Sequence, residues 1–375
     1  MPSDRRDILK GRKRIILKLG SMVLASPEGG VDQNLIDSLA SEVAVLRKAG
    51  YVFVIVSSGA ILMGMREMGR KSMSNTMKVK QALAAVGQSK LMNAYDSAFG
   101  AHGIKVGQVL LTREGLEDRR RFVNSRNTME ALLRMGVLPV INENDSVAVE
   151  EIRFGDNDFL SSMVVNLTDA DLLVIMTDIA GLYDRDPRLG EGRLVEVVGQ
   201  VDDRIMEMAG GAGHAGSGGM SSKVLAAKRT AHMGIPTVIA DGRGRGNLSR
   251  ILAGEPVGTI FLPSREKLAS RKHWIAYSGR TKGILVIDDG AVRAICQKKR
   301  SLLPAGILEV RGEFEQGMLV SCVDSEGHEV ARGVTSFSSD QVRLVMGRHS
   351  RDVEELVGAD ASEEIIHRDH LVLKE

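Results

Sequence analysis

Two lysines stand where they could meet phosphate. Lys18 lies inside the apolar run Arg14–Leu19 (RIILKL) and is followed at once by Gly20 and Ser21. A lysine within such a strand is costly to bury unless it meets an anion. Lys223 closes the segment AGGAGHAGSGGMSSK, in which glycines concentrate between Gly210 and Gly219. That segment feeds an expected helix at Ser221–Met233, and free N–H groups at a helix start, joined by a lysine, favour an anion. A formal G-x-G-x-x-G match occurs at Gly211, Gly213 and Gly216. A dinucleotide fingerprint needs that motif directly after a strand, however, and the preceding stretch Asp202–Met208 is helix-like. A Walker A loop fails as well, because Lys223 follows two serines where Gly-Lys-Ser/Thr is required. Two glycine turns, each with a lysine, suit the bracketing of a transferring phosphate. The bland alternative is a mobile linker whose lysine faces solvent, and His214 within it reads as incidental.

Both turns need elements to aim them. An amphipathic helix is expected from Asp32 to Ala49, with Leu35, Ile36, Leu39, Val43 and Leu46 at helical spacing. Tyr51–Val56 (YVFVIV) suits a strand buried on both faces and ends in Ser57, Ser58 and Gly59. Helices are expected at Met77–Phe99, Phe122–Met135 and Phe159–Leu167. Strands are expected at Ile104–Leu111, Val137–Ile141, Asp171–Met176, Pro236–Ala240 and Gly258–Phe261, with a polar loop at Asn142–Ser146. Strands separated by long helices imply right-handed βαβ units and a mostly parallel sheet between helix layers. Ligands of such sheets bind at the carboxyl ends of the strands. Four polar clusters fall there: Lys18–Ser21, Ser57–Gly59, Asn142–Asp145 and Thr177–Asp178.

Composition narrows the class. The 375 residues are 43% hydrophobic and 26% charged, which excludes a disordered chain, a collagen-like fibre and a simple coiled coil. Aromatics are only 3%, so the core must be aliphatic, and the 18 methionines read as filler for it rather than a metal site. Cys296 and Cys322 are too few for a disulfide scaffold and read as small buried hydrophobes in strand-like surroundings. With neither a secretory signal nor a membrane span in view, the chain reads as cytoplasmic.

From Gly283 onward the pattern changes to short, turn-punctuated segments (ILVID, VRAIC, ILEV, MLVSCVD, HEVARGV), read as strands of a small, mostly antiparallel β-barrel. The expected organisation is a flexible tail at 1–13, a first domain at 14–264, a linker at 265–282, the barrel at 283–361 and an extension at 362–375. The net charge of +2 divides unevenly, since residues 282–375 hold 12 Lys/Arg against 17 Asp/Glu, a net −5. Binding to nucleic-acid backbones needs clustered basic residues. The barrel's one basic run, Lys298–Arg300, reads as a solvated loop, and no strong nucleic-acid binding is expected.

The motifs LKLGSMVL (17–24), VSSGAILMG (56–64), LAAVGQSKLM (83–92), GQVLLTR (107–113), PVINENDSVA (139–148), FGDNDFLSS (154–162), TDIAGLYDRDPR (177–188) and GSGGMSSK (216–223) resemble the amino acid kinase family, specifically its members that phosphorylate L-glutamate. The likeness covers residues 14 to about 262, while SLLPAGI (301–307) and the strands around it resemble a PUA barrel. One departure is Ser21-Met22, where the family often has Thr-Ser. The fold implied is the amino acid kinase fold, a mostly parallel central sheet between helix layers. The reaction implied is ATP-dependent phosphorylation of the glutamate side-chain carboxylate to L-glutamyl 5-phosphate, the first step toward proline. That carboxylate, with a pKa of about 4.3, is already ionised at neutral pH, so neither a general base nor a covalent intermediate is required.

The resemblance also implies roles. Lys18 and Lys223 would neutralise the phosphates, and Asp158 would orient both lysines. Ser58 and Gly59 would hold the end of glutamate nearest transfer, while Asp145 and Asn157 would bind the amino acid, Asp145 countering its ammonium. Lys18, Thr177, Asp178, Ser217, Gly218, Gly219, Met220, Ser221, Ser222 and Lys223 would contact ATP, with Mg²⁺ on its phosphates and largely water-ligated. Proline feedback inhibition, a homodimer or homotetramer, and hand-off to glutamate-5-semialdehyde dehydrogenase are implied likewise. Each residue also has an ordinary structural use: Asn144-Asp145 as an Asx turn, and Asp158 or Thr177-Asp178 as helix caps. Acetylglutamate kinase, UMP kinase and an RNA-binding protein remain the alternatives.

Overall fold

The computed structural model describes residues 4–70, 72, 76–147, 157–187, 190, 192–210, 219–264, 275, 281–349, 352–357 and 364–374. The chain divides into two units, Met1–Lys267 and Leu268–Glu375.

The first unit begins with α1 (Arg5–Leu9), β1 (Arg14–Leu19), α2 (Ser21–Leu24), α3 (Gln33–Lys48), β2 (Val52–Ser57), α4 (Ala60–Glu67) and α5 (Met77–Gly100). It continues with β3 (Val106–Leu111), α6 (Arg113–Glu117), α7 (Arg119–Arg134), β4 (Leu138–Glu143), α8 (Asn157–Thr168) and β5 (Leu172–Thr177). Then come β6 (Val197–Val198), α9 (Asp203–Met208), α10 (Met220–His232), β7 (Thr237–Asp241), α11 (Asn247–Leu252) and β8 (Thr259–Phe261). The eight strands form one sheet in the order β3-β4-β2-β1-β5-β7-β8-β6. All neighbours run parallel except β7 and β8.

Side-chain alternation sends successive residues of β1 to opposite faces. Leu17 and Leu19 join Phe53, Ile55, Tyr95 and Phe99 on the side of α3 and α5. Ile16 joins Val54, Val56, Met163 and Val224 on the side of α8 and α10. Lys18 has the parity of Ile16 and so faces α8 and α10. That parity decides where its charge can go. The helix α8 is buried around its whole circumference, polar positions included.

Helix starts follow their caps. Asp32 accepts from Leu35 N at the start of α3 (3.3 Å), and Asp202 accepts from Ile205 N before α9 (2.9 Å). Several expectations change. β4 runs on through Asn142 and Glu143, both buried, so the polar loop starts two residues later than its composition suggests. In the expected tail, Arg5–Leu9 is helical, Leu9 is buried and the Arg5 guanidinium donates to Gly258 O at 3.0 Å.

The second unit contains β9 (Gly283–Ile287), α12 (Asp289–Cys296), β10 (Ile307–Arg311), β11 (Leu319–Val323), β12 (Glu329–Val334), α13 (Ser339–Val345), α14 (Val353–Val357) and β13 (Leu371–Leu373). Its five-stranded sheet has the order β10-β9-β11-β12-β13, antiparallel except for β9 with β11. VRAIC is therefore helical and not a strand. Asp288 caps it by accepting from Ala291 N at 2.7 Å, which outweighs the strand tendency of Val292 and Ile295. Cys296 is consequently half-buried at a helix end, whereas Cys322 is buried in β11 with its thiol pushed up to about 12 by burial and by Glu329. The expected C-terminal extension supplies β13, which pairs with β12. Ile365 and Ile366 before it are fully buried. Among the described residues no helix is long and apolar enough to cross a membrane.

Candidate active site

β1 delivers Lys18, α8 delivers Asn157 and Asp158 in its first turn, and α10 delivers Ser222 and Lys223 in its first turn. These three elements bring the Lys18 and Lys223 ammonium groups onto one carboxylate. Lys223 Nζ lies 3.0 Å from Asp158 Oδ2, and Lys18 Nζ pairs with Asp158 Oδ1. Ser222 Oγ adds a hydrogen bond to Asp158 Oδ2 at 2.8 Å. Relative exposures of 3%, 0% and 4% for Lys18, Asp158 and Lys223 make this a desolvated cluster. Burial by itself would raise the Asp158 carboxyl, but Lys18 and Lys223 together outweigh it and hold it below the usual carboxylate range. Two cations on one anion leave the trio with a net positive charge away from water. Such a charge is costly until an anion joins it.

Gly219 is the N-cap of α10, and its carbonyl accepts from Ser222 Oγ at 2.8 Å and from Lys223 Nζ at 3.3 Å. Lys223 is thereby tied to its own helix start as well as to α8. Ser221 is buried, and Met220 opens the helix. Ser217 and Gly218, together with Gly211, Gly213, His214 and Gly216 of the glycine-rich segment, lie outside the described residues. Gly20 has an ordinary φ of −74°. A Cβ there would stand 3.8 Å from Lys18 Nζ, an ordinary contact distance that places Gly20 beside the ammonium. Gly59 is different: its φ of +110° is a left-handed conformation that suits glycine, and it turns the chain from β2 into α4.

A second polar group adjoins the trio. Asn157 Nδ2 faces Ser57 O (3.2 Å), Ser58 Oγ (2.8 Å) and Asn142 Oδ1 (3.1 Å). Asn142 Nδ2 in turn donates to Gln88 Oε1 at 2.8 Å. Ser57 Oγ donates to Ser58 O (2.8 Å) and stands 2.7 Å from the buried Tyr95 hydroxyl, whose pKa burial raises. Asp145 lies just past β4, and burial pushes its carboxyl up to about 6. On β5, Thr177 Oγ1 donates to Asp178 Oδ1 at 3.1 Å and Thr177 O accepts from Gly242 N at 2.8 Å. β5 is the strand paired with β1, so Thr177 ends on the same sheet edge as Lys18.

Ser58, Asn157, Asp158, Lys18, Ser222 and Lys223 are thus joined by direct contacts, while Asp145, Thr177 and Asp178 lie on neighbouring strand ends. Sequence reasoning set Ser57 and Asn142 among the polar strand ends without an individual role, and gave none to Gln88 or Tyr95. A signal for Gln88 existed: Gly87 interrupts an otherwise helical pattern, which marks a close backbone approach. A Cβ at Gly87 would fall 1.9 Å from Ala60 O, so glycine lets α5 cross α4 and carry Gln88 to the end of β4. Among the described residues no group of three or more His, Cys, Asp or Glu could hold a metal.

Comparison with known proteins adds an independent finding. Residues 13–241 match the model of the amino acid kinase family, and residues 283–357 match that of the PUA domain. The glutamate 5-kinase of Citrifermentans bemidjiense is 47% identical over 371 residues, 98% of this chain and all of that protein. The glutamate 5-kinase of Syntrophotalea carbinolica is 46% identical over 372 residues, 99% of this chain and all of that protein. That of Methylococcus capsulatus is 45% identical over 98% of this chain and 99% of its own length.

Proposed function

The chain belongs to the amino acid kinase family and, within it, to the glutamate 5-kinases, and from that premise we propose that the Lys18–Asp158–Lys223 trio drives its phosphoryl transfer from ATP to the side-chain carboxylate of L-glutamate. The products are L-glutamyl 5-phosphate and ADP, and the step opens the route from glutamate to proline. One observation carries the assignment to these residues: a fully buried carboxylate lies between two buried ammonium groups, with net positive charge where strand ends meet.

The chemistry asks for positioning and charge neutralisation rather than proton removal. Lys18 and Lys223 neutralise the phosphoryl oxygens as negative charge shifts toward the leaving ADP. Asp158 keeps both ammonium groups aimed at that point. Lys223 rides on the start of α10, so phosphate contact there couples the lysine to the free N–H groups of the helix. Ser58 and Gly59 hold the accepting carboxylate, and Asn157 and Asp145 hold the amino acid, Asp145 through the substrate ammonium. Thr177, Asp178 and the residues from Ser217 to Lys223 contact the nucleotide. Mg²⁺ would be carried on the ATP phosphates and would add to the charge neutralisation that Lys18 and Lys223 supply.

Proline, with an ammonium and a carboxylate on one carbon, would compete for the Asp145 and Asn157 end and act as a feedback inhibitor. The labile acyl phosphate favours hand-off to glutamate-5-semialdehyde dehydrogenase, and the family reading extends to a homo-oligomer. The test is an ATP-dependent assay that traps the acyl phosphate with hydroxylamine, run in parallel on glutamate, acetylglutamate and aspartate. Glutamate should be the substrate consumed. Turnover of acetylglutamate alone would overturn the assignment.

A further inference from the structure

The amide chain beside the trio leaves two buried atoms over. Asn157 Nδ2 faces three acceptors, yet Asn157 Oδ1 is buried with no hydrogen-bond partner among the described residues. At the other end Gln88 Oε1 accepts from Asn142 Nδ2, while Gln88 Nε2 is buried without a partner among those residues. Turning the Gln88 amide over would oppose two NH₂ groups and lose the bond to Asn142, so the free end is the donor. Folded interiors seldom leave a buried donor unused, and an unused donor beside a substrate site is a place kept for a ligand acceptor. Gln88 is also held firmly, because the Gly87 crossing leaves no slack between α5 and α4.

We propose that Gln88 is a specificity-determining residue, its Nε2 donating to the α-carboxylate of the amino acid, the one that is not phosphorylated. This rests on the reading of glutamate as acceptor. The order along the chain of contacts assigns the end: Asp158 adjoins Asn157, Asn157 bonds Asn142, and Asn142 bonds Gln88. The accepting carboxylate belongs at the trio, so the group that reaches Gln88 lies at the far end of the substrate. Asp145, three residues beyond Asn142, then takes the ammonium borne on the same carbon as that carboxylate. Asn157 Oδ1, an acceptor left over between them, faces the same ammonium.

The test compares glutamate with isoglutamine, in which a neutral carboxamide replaces the α-carboxylate and the side-chain carboxylate is intact. Steady-state kinetics are measured for the full chain and for Gln88→Leu and Gln88→Glu. Gln88→Glu keeps an acceptor for Asn142 while removing the donor, so it separates direct recognition from support of Asn142. Losing a charge-assisted hydrogen bond should raise the glutamate KM roughly 10- to 100-fold in both variants, with the ATP KM and kcat within about threefold. The preference of the unsubstituted chain for glutamate over isoglutamine should collapse, and Gln88→Glu should favour isoglutamine. An unchanged glutamate KM or an unchanged preference in Gln88→Glu would overturn the inference alone. An unsubstituted chain inactive on glutamate would overturn the parent assignment as well.

Discussion

Lys223 Nζ stands 3.0 Å from Asp158 Oδ2, joining the first turn of α10 to the first turn of α8 inside a buried cluster. Lys18 takes the other carboxylate oxygen, so one carboxylate binds two ammonium groups at once. Removing either partner of a buried pair costs more than the pair contributes, because a naked charge remains.

Asp158→Asn keeps the size of the side chain and removes the negative charge that both lysines share. Loss of about 3–5 kcal/mol of stability is expected for the ligand-free protein, together with a fall in kcat of at least about 10²-fold. The phosphates of ATP can replace the missing negative charge, so thermal denaturation should show a Tm deficit that shrinks when ATP is added. A deficit indifferent to ATP would remove the trio from the nucleotide site.

Lys223→Ala should lower kcat by something like 10²-fold or more, the usual cost of one lost transition-state charge contact, with the glutamate KM nearly unchanged. Steady-state kinetics with each substrate varied in turn would measure the split. An effect confined to KM would make Lys223 a ground-state binder only.

Asp145 trades stability for recognition. Burial raises its carboxyl from 3.8 to about 6, so the folded chain holds the extra proton between those values. Its contribution to stability therefore declines as pH rises through that window, and the cost is complete above about 6. Asp145→Asn should raise the Tm of the ligand-free protein at pH 7.5, the gain fading by about pH 4, and it should raise the glutamate KM. In the unsubstituted chain the glutamate KM should climb as pH falls below about 6, because the protonated acid cannot counter an ammonium.

Gly87→Ala would drive a methyl group to 1.9 Å from Ala60 O and 2.3 Å from Gly64 N. Helix α5 must then move from α4, at a cost of about 1–3 kcal/mol or more. Urea denaturation should record the loss, and the glutamate KM should rise with it, since Gln88 moves on the same helix.

Local chemistry made much of this molecule legible without coordinates. The apolar runs of β1, β2 and β5, the glycines that follow or precede their ends, and the caps at Asp32 and Asp202 are written in residues close together in the chain. So are the motifs that place Lys18, Asn157, Asp158 and Lys223 in a phosphotransferase family. Where a local signal competed with another, reading by pattern failed: Val292 to Cys296 looks like a strand, but the cap at Asp288 makes it a helix. β13 was invisible because three residues near the chain end become a strand only when β12 is beside them.

What the sequence by itself determined was the alternation of strands and long helices in the first unit, and the family. Only the tertiary structure decided that one carboxylate serves both lysines, since Lys18, Asp158 and Lys223 are separated by 140 and 65 positions and meet through the packing of β1, α8 and α10. It also decided that Gln88, given no role by its place in a long helix, reaches Asn142 at the end of β4, because a glycine-to-backbone crossing sets the depth of α5. Periodicity reports which face of an element is apolar. Which atoms on different elements share a proton or a charge depends on distances that no local pattern encodes.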